Sequence, residues 1–172
     1  MTAIHVSVQT ADFDQGHEVA ALRQGRVDVG AVVSFVGIVR QWLPDTVAAN
    51  LPDNNDTLTL EHYPGMTERM LQDEAQRVAV RFGVLGIRLI HRVGELPLGG
   101  QIVLVAVAAS HRQAAFDACN YLMDWLKTQA PFWKKETRAG QGQWVAARDA
   151  DDHALQRWQA PPALNAVNGD TP

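Results

Sequence analysis

The chain has 172 residues, of which 47% are hydrophobic and 20% charged, with a formal net charge of −4. That length suits one domain with a full hydrophobic core. The acidic balance excludes general nucleic-acid binding through a basic surface, yet leaves room for a local basic pocket that takes a small anion. A single cysteine excludes an internal disulfide framework, no stretch reaches the length of a membrane span, and no basic leader followed by an apolar run opens the chain, so a cytoplasmic protein is expected.

In chain order, residues 4–9 (IHVSVQ) alternate and predict a strand. Asp12 or Asp14 could cap a short helix running to Arg23, with Val19, Ala20 and Leu22 on its buried side. Residues 27–40 (VDVGAVVSFVGIVR) are apolar at every odd position from Val27 to Val39. Val32, Val36 and Ile38 are apolar on the opposite face, so a central strand covered on both sides is expected, delivering Arg40 at its end. An arginine in that place is, on pattern alone, more often a surface charge. Residues 41–57 hold two prolines and several Asn and Asp residues, and predict a long loop.

Residues 58–83 predict strand, turn and helix. Pro64 suits a first helical turn, and Met66, Met70, Leu71, Ala75, Val78 and Phe82 form the apolar stripe. His62 before that helix is expected to hold the turn. Residues 87–96 and 101–110 predict two strands joined as a hairpin through Pro-Leu-Gly-Gly, the second of them central.

The segment 110–136 (SHRQAAFDACNYLMDWLKTQAPFWKKE) carries the chemistry. Ser110 and Gln113 fit a capping box, so a helix starts near His111. A helix N-terminus beside His111 and Arg112 could seat an anion, or could be a capped end with two solvated side chains. Ala115, Cys119, Leu122 and Leu126 share one apolar stripe, which makes Cys119 a buried, unreactive thiol. Phe116, Asn120, Met123 and Lys127 share the neighbouring face. Lys127 ends the helix and Pro131 stops it, after which Phe132 and Trp133 precede Lys134 and Lys135. A lysine against aromatic surface can act as acid, base or nucleophile, although a solvated basic patch is the plainer reading. His111 and Lys127 lie about 24 Å apart along an unbroken helix at ~1.5 Å per residue. If both serve one small ligand, the site is shared across a homodimer. Residues 137–143 predict a turn and 144–158 an extended stretch that becomes a polar helix. The Pro-rich tail 159–172 is expected to be poorly ordered, leaving one domain over 1–158. The mixture of strands, helices and a hairpin makes the fold class α+β.

The motifs at 30–40, 58–66 (LTLEHYPGM), 91–96 (HRVGEL), 110–112 (SHR) and 123–136 (MDWLKTQAPFWKKE) resemble, in this order, the large catalytic subunit family of molybdopterin synthase. The resemblance implies an α/β hammerhead fold with a mixed, largely antiparallel sheet, and a homodimer within a heterotetramer. The implied partner is a small ubiquitin-like sulfur-carrier subunit whose thiocarboxylated Gly-Gly tail enters a pocket. The implied activity is that of a sulfurtransferase that builds the molybdopterin dithiolene on cyclic pyranopterin monophosphate, in molybdenum cofactor biosynthesis, with no cofactor or metal of its own. Carried over by position, Lys127 and Lys134 are the expected catalytic residues. Ile38, Val39, Arg40, His111, Arg112, Lys135, Glu136 and Arg148 are expected to join them at the substrate, and Phe35 and Met123 to line the pocket. The 41–57 loop is longer than this resemblance leads one to expect. Two other readings stay open: a docking protein for a ubiquitin-like partner without turnover, and an unrelated phosphate-binding enzyme.

Overall fold

The computed structural model describes residues 2–40, 56–138, 141–145 and 157–158. Among these the elements run β1 (Ala3–Gln9), α1 (Gln15–Arg23), β2 (Ala31–Ile38), β3 (Thr57–His62), α2 (Met66–Phe82), β4 (Gly86–Arg92), β5 (Gly94–Pro97), β6 (Gln101–Ala109), α3 (Arg112–Thr128), β7 (Phe132–Arg138) and β8 (Gln141–Val145). They form two four-stranded sheets, ordered β1-β4-β6-β2 and β5-β3-β7-β8. Only the β1–β4 pairing is parallel; the rest are antiparallel. The α+β class expected from the sequence is the one observed.

The first sheet carries the main core. Leu89, Val105 and Val107 meet Leu71, Ala75 and Val78 of α2 and Ala115, Leu122 and Trp125 of α3. Strand alternation sends Ile90, Leu104, Ala106 and Ala108 to the other face, against Phe13 and Leu22 around α1. β6 is buried through almost its whole length, as its near-continuous apolar run requires. Asp14 caps α1 by accepting from the His17 N–H at 2.8 Å. Of the apolar side expected for this helix, Leu22 is buried, Val19 is half-buried and Ala20 is exposed.

Four expectations are corrected. The 27–40 strand begins only at Ala31, with Val27 fully exposed, and β2 is the edge of its sheet; the central place belongs to β6 and β4. Both faces of β2 are nevertheless packed, through Val33 on one side and Val32 and Val36 on the other. The 87–96 run is two strands in different sheets, because the chain turns at Gly94, whose φ of 86° favours glycine. The capping box at Ser110 does not form: His111 is the N-cap of α3 without a side-chain cap bond, and Gln113 donates to Asp117 instead. Pro64 precedes α2, whose N-cap is Gly65; Glu68 reaches back to accept from the Gly65 N–H at 2.6 Å.

Two joints set up the site. Gly30 donates to the Ala109 carbonyl at 3.0 Å, and a Cβ on Gly30 would run into the Ser110 carbonyl oxygen, so the start of β2 lies hard against the start of α3. At the other end of β2, Val39 is pinned to the β5–β6 turn, donating to Gly100 O at 2.9 Å and accepting from Gly99 N at 2.7 Å. Farther off, Trp158 packs edge-on against Phe82 and Tyr121 and donates from Nε1 to Asp124 at 2.7 Å.

Candidate active site

A cleft of about 250 Å³ opens where the two sheets meet the C-terminal end of α3. Each wall follows from a local rule. Across the β2–β6 ladder the register slips between Gly37 and Ile38, so that Gly37 faces Val103 and Ile38 faces Gln101; Ile102 is the extra residue. That bulge brings Ile102 and Val103 to the cleft beside Phe35, Ile38 and Val39. Arg40 follows the anchored Val39 and is held at the rim with its side chain exposed. From α3, Met123, Leu126 and Lys127 face the cleft, a spacing of three or four residues that makes them neighbours on one helix face.

β7 supplies the opposite wall by alternation. Phe132, Lys134 and Glu136 line the cleft. Lys135 lies on the other face of the strand, with its Nζ 6.0 Å from the Trp144 ring centroid. Its stem runs over Gly142, where a Cβ would collide with it. Among the described residues, three cations therefore stand in the cleft, Arg40, Lys127 and Lys134, against one carboxylate, Glu136, which Arg138 holds at 2.8 Å. An anion that enters meets donors and an apolar wall together.

The floor holds His91 of β4, 7% exposed. Its ring is stacked on Phe132, with centroids 3.8 Å apart and planes 13° from parallel. Burial is the main reason its pKa falls to about 4, with the charges of Lys134 and His62 adding to the effect; the bond to the Arg92 carbonyl opposes it. His91 is thus a neutral imidazole near pH 7. His62 lies 3.3 Å from Glu68 and steadies the turn into α2, the structural role expected for it. Cys119 is buried on the core side of α3, where burial pushes its thiol up to about 11.

His111 and Arg112 are exposed at the N-terminal end of α3, and neither lines this cleft. They and Lys127 sit at opposite ends of one 17-residue helix. Arg148 lies outside the described residues.

A family model described as MoaE protein matches residues 8–129. The chain belongs to the MoaE family. A molybdopterin synthase catalytic subunit from Vibrio cholerae is 49% identical over 154 residues, covering 90% of this chain and 97% of that one. The corresponding subunit from Pseudomonas aeruginosa is 47% identical, with 90% and 98% covered. Among solved structures, the molybdopterin biosynthesis MoaE protein from Burkholderia ambifaria superposes with a TM-score of 0.72 at 46% identity, covering 94% of this chain and all of that one. A molybdopterin synthase from Staphylococcus aureus gives 0.67 at 27% identity, covering 81% and 95%. The mixed α+β fold expected from the sequence is therefore shared with these structural relatives.

Sequence reasoning toward this MoaE-family cleft passed over His91, Leu58, Ile102, Leu126 and Phe132. The apolar four are what any core strand or helix carries. The one hint at His91 was its strand face: at period two it shares the side of Ile87 and Leu89, where a polar residue stands out, but nothing in the sequence ties that face to the cleft.

Proposed function

We propose that this MoaE-family chain is the catalytic subunit of molybdopterin synthase, a sulfurtransferase. It takes sulfur from the thiocarboxylated C-terminus of a small ubiquitin-like carrier subunit and delivers it to cyclic pyranopterin monophosphate, forming the molybdopterin dithiolene. The relatives bear the name of a catalytic subunit, which implies at least one further subunit in their assembly. The observation that carries the reading is the convergence of Arg40, Lys127 and Lys134 with an apolar wall in one cleft. An extended Gly-Gly tail has small side chains and an anionic end, and that combination of surfaces suits it.

In each transfer the thiocarboxylate sulfur forms a bond to a side-chain carbon of the pterin substrate while that carbon's bond to an oxygen substituent breaks, the oxygen taking a proton as it leaves. Water then attacks the resulting thioester carbonyl, the carbon–sulfur bond to the carrier breaks, the carrier leaves as a carboxylate, and sulfur stays on the pterin. The ammonium groups of Lys127 and Lys134 hold the anionic tail and the oxyanion that develops on its carbonyl, and a lysine beside the reacting atoms moves the proton. Lys127 is the central residue in this scheme and Lys134 its partner. Ile38, Val39 and Glu136 complete the wall, with Phe35 and Met123 at its mouth.

His111 and Arg112 serve the phosphate of the substrate from the other chain of a homodimer, because the length of α3 separates them from Lys127. Arg148 belongs with that anion site. Lys135, turned to the other face of β7, acts at the rim rather than at the reacting atoms. One domain through Trp158 is supported by that residue's packing on α2 and α3. A cytoplasmic location accompanies this reading.

The test is reconstitution: the purified chain is mixed with thiocarboxylated carrier and cyclic pyranopterin monophosphate, and the dithiolene product is measured. Product is expected. Tight carrier binding without product would instead identify a docking protein, and neither binding nor product would leave an unrelated phosphate-binding enzyme.

A further inference from the structure

The HRVGEL motif at 91–96 contributes only His91 to the lining of the cleft. Its second residue, Arg92, has a side chain only 13% exposed that ties three segments together. Nε and Nη2 donate to the Thr10 carbonyl at 3.2 and 3.1 Å, while Nη1 donates to the Gln101 carbonyl at 3.0 Å and lies 3.3 Å from Asp12 Oδ1. Asp12 Oδ1 also accepts from the Gln101 side chain at 2.9 Å, and that side chain donates to the Phe13 carbonyl at 2.9 Å. Gln101 is thus held by its backbone and its side chain at once. The clamp sits where regular pairing gives out. The β4–β6 register runs from Gly86–Ala108 to His91–Val103 and ends there, and on the other side of β6 the bulge sets Ile38 against Gln101. The guanidinium fork supplies donors where the ladder has stopped. Just before Gln101, the Pro97–Gly100 turn closes on itself, with Gly100 N–H donating to the Pro97 carbonyl at 2.9 Å and Gly99 at a φ of 78°. Val39 hangs on that turn by both of its backbone groups, and Arg40 is the next residue.

We propose that Arg92 is a positioning residue for Arg40: by clamping Gln101 it fixes the bulge and the Pro97–Gly100 turn from which Val39 hangs, and so sets where Arg40 meets the anionic substrate at the cleft rim. The Arg40 side chain is exposed, so its backbone root is what the fold controls. A turn that drifts carries Val39 and Arg40 with it, and a misplacement of about 1 Å at a binding group costs up to about a hundredfold. The fork matters more than the charge, because a lysine in this place has no planar pair of donors to span the Thr10 and Gln101 carbonyls. The catalytic consequence rests on the sulfurtransferase reading; the clamp itself rests on the geometry alone.

Two arms test it on the full-length chain, with Arg92→Met, which removes the fork and the charge, and Arg92→Lys, which removes the fork alone and serves where the first variant does not fold. In amide hydrogen exchange followed by NMR, either variant should speed the Val39 and Gly99 amides about tenfold or more, while Val105 and Val107 at the sheet centre stay within about threefold. Equal acceleration at all four, or no change at Val39 and Gly99, would overturn the clamp whether or not the chain transfers sulfur. In the transfer assay with saturating carrier, either variant should raise the pterin KM about tenfold with kcat within about threefold. On an Arg40→Ala background the same substitution should add less than about twofold, since its effect passes through Arg40. Full additivity with Arg40→Ala, a loss confined to kcat, or complete recovery by Arg92→Lys contradicts the positioning role. An inactive wild-type chain would count against the sulfurtransferase reading and leave the exchange arm to decide the clamp.

Discussion

At the residue scale, His91 shows what a single buried titratable group does to this protein. Its ordinary pKa is 6.5 and burial lowers it to about 4, so the folded state binds fewer protons than the unfolded state between those values. Stability therefore falls as pH drops from 6.5 to about 4 and levels off below. The shift corresponds to on the order of 3 kcal/mol. Urea unfolding at pH 7 and at pH 4 should show wild type losing about that much more than His91→Phe; equal losses in the two proteins would remove His91 as the cause. Cys119, by contrast, was legible from its place in the apolar stripe Ala115, Cys119, Leu122 and Leu126, all four of which are buried. His91 was not legible as a site residue, because its neighbours in the cleft come from β7 and α3, far away in sequence.

At the element scale, the difference between period two and period 3.6 decides which cations meet. Lys127 was readable as a cleft residue once α3 was drawn, since Met123 and Leu126 share its face. Residues 132–138 gave no equally clear alternation, and only the pairing of Leu60 with Lys134 and Thr59 with Lys135 fixes which side chain points where. Lys134→Ala should cost the transfer reaction at least about a hundredfold, whereas Lys135→Ala should cost threefold or less, in the same steady-state assay. Comparable losses would mean that the strand alternation does not govern the site. The edge position of β2 and the break at Gly94 were hidden for the same reason: hydrophobic pattern reports burial of a face, while strand neighbours and sheet membership depend on partners remote in sequence. The capping box failed because its sequence signature competes with a simpler local bond, Gln113 to Asp117 at 2.9 Å.

At the scale of the whole molecule, two features extend beyond the cleft. Trp158 closes the described structure by docking on α2 and α3, with Arg81 donating to its carbonyl at 2.6 Å and Arg157 joining it on Asp124. Trp158→Ala removes an edge-on aromatic cluster and a charge-assisted bond, and should destabilise the fold by about 2 kcal/mol in denaturant titration; an unchanged midpoint would show that the domain ends earlier. The second feature is the length of α3, which keeps His111 and Arg112 out of the cleft that holds Lys127. Mixing Arg112→Ala with Lys127→Ala after subunit exchange should restore about a quarter of wild-type activity, because half the dimers then carry one intact pocket of two. No recovery on mixing would confine the pocket to a single chain.

All three scales meet at Lys127, which the fold places at the end of α3 beside Arg40 and Lys134. The most direct measurement is single-turnover formation of the dithiolene by Lys127→Ala saturated with thiocarboxylated carrier, with carrier affinity measured in parallel. A rate reduced by at least about a hundredfold with carrier affinity nearly intact is the expected result. Product formed at the wild-type rate would contradict Lys127 as the centre of sulfur transfer.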